Sequence, residues 1–142
     1  MNETLYHLEY YDTIPKEYEE VLYHGISEEA FHAKRLSPIR PFSIFIKDQK
    51  ENILGGASGT LFYGSLYVDS LWIDKALRHQ GWGTKLMHEA ENLGRKHGAS
   101  FVTLNTMDWE ALPFYQKLGY STEFTREGYE QGSKMVMLRK NL

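Results

Sequence analysis

The sequence contains no cysteine, no apolar run long enough to cross a bilayer and no excess of positive charge. Each absence removes a class of function. Without cysteine there is no disulfide framework, no thiolate-ligated zinc and no cysteine nucleophile. A formal net charge of -3 argues against a general nucleic-acid binder, which needs a basic face for phosphates. No segment approaches the roughly 20 apolar residues of a membrane span, and residues 1–7 show no basic stretch followed by an apolar run. A cytoplasmic protein without a membrane or nucleic-acid partner is expected. Asn2-Glu3-Thr4 fits a glycosylation sequon, but without a secretory signal chance accounts for it.

What is present is globular. Hydrophobic residues make up 42% and charged residues 25%, enough to build a core. The 142 residues fit a single domain spanning 1–142. Residues 5–10 read as a first strand. Asp12-Thr13-Ile14-Pro15 reads as a helix start, with Tyr18, Val21 and Leu22 turned inward and Gly25 as the stop. Ser27-Glu28-Glu29 then opens a second short helix, ended by Pro38 and Pro41. Residues 42–47, 53–62 and 66–73 are strands of a meander. Gly55, Gly56 and Gly59 mark a bulge or a close backbone approach in the second of them.

The second half changes period. Residues 84–97 place Leu86, Met87, Ala90 and Leu93 on one helical face, and Gly98 supplies a left-handed stop. Residues 101–104 follow as a strand, so the flanking strands should be parallel. A shorter helix follows Asp108 and ends at Gly119. Residues 120–125 and 134–138 close the chain as strands. The fold class is α/β with a mixed sheet.

The densest signal lies between strand and helix, at Arg78-His79-Gln80-Gly81-Trp82-Gly83-Thr84. Free N–H groups at a helix start attract anions, and Gly81 and Gly83 clear side chains from the approach. Lys75, Arg78, His79 and Lys85 add local positive charge. Two readings stay open on this pattern alone: a phosphate site, or a glycine-rich turn with a solvated basic rim. Other motifs fail. Gly83-Thr84-Lys85 reverses the P-loop order, Leu86 replaces the third glycine of a dinucleotide fingerprint, and Asn92 stands where a zinc protease needs its second histidine. No metal site is expected.

Two separated motifs resemble the GCN5-related N-acetyltransferase (GNAT) family. Arg78-x-x-Gly81-x-Gly83 is similar to its pyrophosphate loop, and Ala111-Leu112-Pro113-Phe114-Tyr115-Gln116-Lys117-Leu118-Gly119-Tyr120 is similar to its A-x-x-F/L-Y-x-K-x-G-F/Y segment. One long helix and one strand intervene, as in the family. The resemblance implies an acyl-CoA N-acyltransferase fold: a mostly antiparallel sheet with a central, splayed parallel pair and flanking helices. It implies acetyl-CoA as co-substrate, lying in the splay. Leu71, Trp72 and Ile73 would pair with the pantetheine arm, and Arg78, His79, Gln80, Gly81, Trp82, Gly83 and Thr84 would hold the pyrophosphate. Asn105, Phe114 and Lys117 would line the other wall.

The same resemblance makes Tyr115 the general acid for the leaving thiolate. Its ordinary pKa near 10 lies above the roughly 8.5 of a thiol, so it is normally protonated. The residues alone would make it a core tyrosine beside Phe114 and Leu118. Asp69 is the candidate base. Strand parity puts it on one face with Tyr67, Leu71 and Ile73, and a rim carboxylate paired with a nearby cation is the competing reading. The resemblance puts the acceptor, expected to be a small-molecule amine, between the N-terminal helices and the last loop. Glu17, Glu19, Glu20, Glu28 and Glu29 with Glu127, Tyr129 and Glu130 would make that mouth acidic and attractive to a cationic amine, while a solvated helix face is the reading that fits most of these acids. A non-catalytic acyl-CoA-binding module and a protein-modifying acetyltransferase are the alternatives. Relatives commonly form homodimers.

Overall fold

The computed structural model describes residues 5–142, and the sequon at Asn2 lies outside them. The chain forms two compact units, Met1–Pro38 and Ile39–Leu142.

In the first unit two expectations fail. Residues 5–10 form no strand. They alternate poorly, and an extended run gains its stability only from a ladder partner. The two short helices are one, α1 (Lys16–Lys34), which runs through Gly25. A single interior glycine costs a helix only about 1 kcal/mol relative to alanine, and Ser27, Glu28 and Glu29 continue the turn instead of capping a new one. The helix begins after Pro15 with no side-chain cap, and ends where Arg35 takes a left-handed φ of 57°. Within this unit the ring of Tyr18 meets that of Tyr11 edge-on, centroids 5.5 Å apart.

The second unit is a six-stranded sheet in the order β1-β2-β3-β4-β6-β5. The elements are β1 (Arg40–Lys47), β2 (Ile53–Phe62), β3 (Ser65–Ile73), α2 (Trp82–Lys96), β4 (Phe101–Met107), α3 (Leu112–Lys117), β5 (Ser121–Arg126) and β6 (Met135–Asn141). Every neighbouring pair is antiparallel except β3 and β4. The β1–β2 turn is fixed by Asp48, whose Oδ1 accepts the amides of Lys50 and Asn52.

Helix α2 carries the apolar stripe that the spacing requires. Met87 and Ala90 are fully buried with Leu66 and Val102 of the sheet, each large apolar side chain contributing about 1.5–3 kcal/mol of burial. Gly98 ends the segment at φ 80°, and the Ala99 amide reaches back to the Gly94 carbonyl at 2.8 Å. Tyr115 of α3 and Tyr120 join the same core. Among the described residues no helix is long and apolar enough to cross a membrane.

Two irregularities position the site. The β3–β4 ladder runs only from Ser65–Phe101 to Val68–Leu104 and then stops. Beyond it β3 continues against β2 to Ile73, and β4 against β6 to Met107, leaving a wedge between them. The ladder stops next to a β-bulge. Gly59 pairs with Val68 but Ser58 pairs with Ser70, so Asp69 is an extra residue. A bulge bends and twists its strand, which suits the parting of β3 from β4. Gly59 serves this geometry, because a Cβ there would overlap the Tyr67 carbonyl oxygen.

Candidate active site

A cleft of about 670 Å³ opens where the two parallel strands part. Leu71, Trp72 and Ile73 form one side, Arg78, His79, Gly81, Trp82, Gly83 and Thr84 the turn at its end, and Phe114 the facing wall. Ten of the residues expected to hold the cofactor therefore meet around one space. Leu77, Glu110, Ala111 and Pro113 complete it. Ala111 and Pro113 lay within the second motif; nothing local marked Leu77 or Glu110.

The turn is built to aim amides. Asp74 begins it by accepting the Ala76 amide at 2.9 Å. Arg78 Nε donates to the Ile73 carbonyl at 3.0 Å, tying the turn to the end of β3. His79 and Gly81 both adopt left-handed φ, 62° and 85°, with only Gln80 between them. The first bond of α2 runs from the Lys85 amide to the Gly81 carbonyl. The amides of Trp82, Gly83 and Thr84 therefore precede the helical ladder at the positive end of the dipole. Gln80 turns away, its amide donating to the Ala76 carbonyl at 3.0 Å. Lys85 lies over the Trp82 ring, 4.6 Å from its centroid.

Tyr115 is 7% exposed, its ring in edge contact with Phe114 at 5.1 Å and Tyr120 at 6.1 Å. Its hydroxyl makes no hydrogen bond among the described residues. Burial, and then the negative charge of Glu110, push its pKa up to about 12. Glu110 Oε1 accepts the Met107 amide at 3.1 Å, which pins the β4–α3 turn.

Asp69 corrects the parity expectation. The bulge adds one residue, so Leu71 and Ile73 keep the α2 side of the sheet while Asp69 shares the opposite face with Tyr67. There it accepts a hydrogen bond from Ser58 Oγ at 2.8 Å. Asn105 lies on that face as well, donating to the Tyr67 hydroxyl at 3.3 Å. Burial and the charge of Asp69 raise the Tyr67 pKa. Asn105, Lys117, Asp69 and Tyr115 do not line the 670 Å³ cleft. Lys117 is exposed on the last turn of α3.

A second cleft of about 620 Å³ lies between the β4–α3 turn and the β5–β6 loop, lined by Met107, Trp109, Tyr129, Glu130, Gln131 and Ser133. Trp109 Nε1 donates to Ser133 Oγ at 3.1 Å, and Asp108 bonds the Lys134 backbone twice, at 2.8 and 3.1 Å. Tyr129 and Glu130 of the expected acidic loop face this space, whereas Glu127 pairs with Lys134 at 3.3 Å.

Known proteins resemble this chain in sequence and in fold. Acetyltransferase Atu2258 of Agrobacterium fabrum is 31% identical over 101 residues, 71% of this chain and 74% of the relative. Blasticidin-S acetyltransferase of Streptomyces morookaense is 29% identical over 106 residues, 74% of this chain and 78% of the relative. A crystal structure of an acetyltransferase from Bacillus cereus superposes with a TM-score of 0.75 at 25% identity, covering 98% of this chain and 99% of that one. The family model described as acetyltransferase (GNAT) domain matches residues 11–142. With the two motifs meeting around one cleft at the parting of its parallel strands, the chain belongs to the GNAT family of acetyltransferases.

Proposed function

We propose that the protein transfers an acetyl group directly from acetyl-CoA to the primary amine of a small cationic molecule. The observation that carries this reading is Tyr115: a buried phenol, its hydroxyl unpaired among the described residues, on the helix whose Phe114 walls the cleft. In this reading the pantetheine arm enters the wedge along Leu71, Trp72 and Ile73. The pyrophosphate meets the amides at the start of α2, and backbone N–H groups on that stretch of β3 receive the oxyanion.

The neutral amine attacks the acetyl carbonyl carbon, a C–N bond forms, and the C–S bond breaks. Tyr115 donates a hydrogen bond to the departing sulfur. Full proton transfer from a phenol near 12 to a thiolate whose acid is near 8.5 is uphill by about 3.5 units. The hydroxyl therefore steadies developing charge, and solvent delivers the final proton to the thiol. Asp69, with Tyr67 and Asn105 beside it, takes the amine proton through water on the opposite sheet face. With no cysteine in the sequence, no acetyl-cysteine intermediate forms.

The second cleft supports a small, cationic acceptor. Its aromatic walls and the Glu130 carboxylate suit an amine on a compact body. The relative named for blasticidin S acts on a small molecule by its name. The deciding experiment is thiol release from acetyl-CoA across a panel of polyamines, aminoglycosides, nucleoside antibiotics and lysine peptides. Turnover confined to small amines is expected; turnover with the peptides alone would replace this acceptor class.

A further inference from the structure

Glu91 is 2% exposed, yet it is a carboxylate on α2, the helix that also buries Met87 and Ala90. A buried charge is costly, and well-packed apolar residues at such a position are often neutral or stabilising. Its presence calls for a task that an apolar residue cannot perform. Both carboxylate oxygens are engaged. Lys140 Nζ donates to Oε1 at 3.0 Å, and the Tyr120 hydroxyl donates to Oε2 at 2.8 Å. Lys140 also stands 5.7 Å from the centre of the Tyr120 ring.

Tyr120 is what this pair holds. Its ring is fixed by Glu91 at the hydroxyl end, and its amide donates to the Tyr115 carbonyl at 3.1 Å. Its ring stands against that of Tyr115 at 73°, centroids 6.1 Å apart. The Tyr115 hydroxyl has no hydrogen-bond partner among the described residues, so packing between Phe114 and Tyr120 sets where it points. A phenylalanine at 120 could slide; a tyrosine anchored to a carboxylate cannot. We propose that Glu91 and Tyr120, neutralised by Lys140, are positioning residues that set the Tyr115 hydroxyl for acetyl transfer. The inference rests on the proposed role of Tyr115 as donor to the leaving sulfur.

The test uses steady-state kinetics on the whole chain, with melting curves run beside them. Tyr120→Phe should lower kcat about tenfold, the scale of a small misplacement of a catalytic group, with KM for acetyl-CoA within about twofold. Glu91→Leu with Lys140→Met removes the anchor and fills its place with apolar side chains. It leaves the Tyr120 hydroxyl without its acceptor, so it should melt somewhat below the parent while still folding, and lose kcat to the same extent. Glu91→Gln with Lys140→Met keeps an acceptor for the Tyr120 hydroxyl and should retain kcat. In a Tyr115→Phe background none of these changes should lower kcat further.

Parental kcat in the Leu/Met variant overturns the proposal. So does an equal loss with and without the Tyr115 hydroxyl, which would mark the cluster as purely structural. If Tyr120→Phe fails to fold, the Leu/Met variant decides alone. A Tyr115→Phe enzyme with parental kcat defeats the donor role itself and this inference with it, an outcome separable from the other two.

Discussion

Gly83 and Phe114 meet face to face across the cleft: a Cβ built on Gly83 would stand 3.1 Å from Cζ of the Phe114 ring. The glycine therefore serves α2–α3 packing as well as access to the first amides of α2. Gly83→Val should push the ring into the cleft and weaken acetyl-CoA binding about tenfold, with a loss of about 1–3 kcal/mol in stability from overpacking. Isothermal titration and denaturant unfolding read the two effects separately. Adding Phe114→Leu should restore part of the stability. Parental affinity in Gly83→Val would mean that this end of the cleft holds no cofactor.

Tyr115→Phe removes one oxygen from a core side chain and leaves the cleft lining intact. Acetyl-CoA affinity should stay within about twofold, while kcat falls by roughly 10²-fold, the lower range for acid–base groups. The hydroxyl keeps its proton until the pH nears its pKa of about 12. The parent enzyme's pH–rate profile should therefore show no alkaline downturn from Tyr115 below about pH 10. A downturn near 9 that vanishes in Tyr115→Phe would show that the group ionises far earlier in the working enzyme.

The same raised pKa has a consequence for stability. Folded Tyr115 retains a proton that the unfolded chain releases near pH 10, its ordinary value. Between those limits the native state binds more protons, so stability falls as pH rises. The contribution is fully present below about pH 10 and is lost on the way to 12. Tyr120, raised by burial and by Glu91, acts in the same direction. Urea unfolding at pH 8, 10 and 11 should show this decline, shallower in Tyr115→Phe. An identical slope in both proteins would contradict the burial of the phenol.

Asp69→Asn keeps the shape of the bulge and an acceptor for Ser58 Oγ, but removes the charge beside Tyr67. As the proposed proton acceptor, its loss should reduce kcat/KM for the amine by about 10²-fold and leave acetyl-CoA affinity unchanged. Raising the pH, which deprotonates the amine in solution, should recover part of the rate. A variant as active as the parent at pH 7 would move the base elsewhere.

Legibility differed between elements for physical reasons. The second strand was readable at both ends, and Gly59 announced a close backbone approach that the Tyr67 carbonyl now explains. The amphipathic stripe of α2 and its stop at Gly98 were equally plain. The cofactor turn was readable because its glycines and cations are contiguous. The face of Asp69 was not, because the extra residue sits on β3 while the glycine that accommodates it sits on β2. Alternation is a local rule, and an inserted residue reverses it for everything downstream. Residues 5–10 and the break at Gly25 were misread because tyrosines and a lone glycine carry weak preferences that local context overrides. Glu110 could not be found at all, since its place in the cleft depends on a turn closed by its own bond to the Met107 amide.

Trp109 provides a separate handle on the acceptor. Its indole is 68% exposed yet held in place by the bond from Nε1 to Ser133 Oγ, and it walls the second cleft with Tyr129 and Glu130. An exposed but tethered aromatic offers a rigid contact surface at little entropic cost. Trp109→Ala should raise KM for the preferred amine about tenfold or more, the scale of one lost aromatic contact of 1.4 kcal/mol. KM for acetyl-CoA should not move, since Trp109 is no part of the other cleft. Ser133→Ala, which frees the indole without removing it, should give a smaller effect in the same direction. Equal KM values for the amine in all three proteins would place the acceptor outside this cleft.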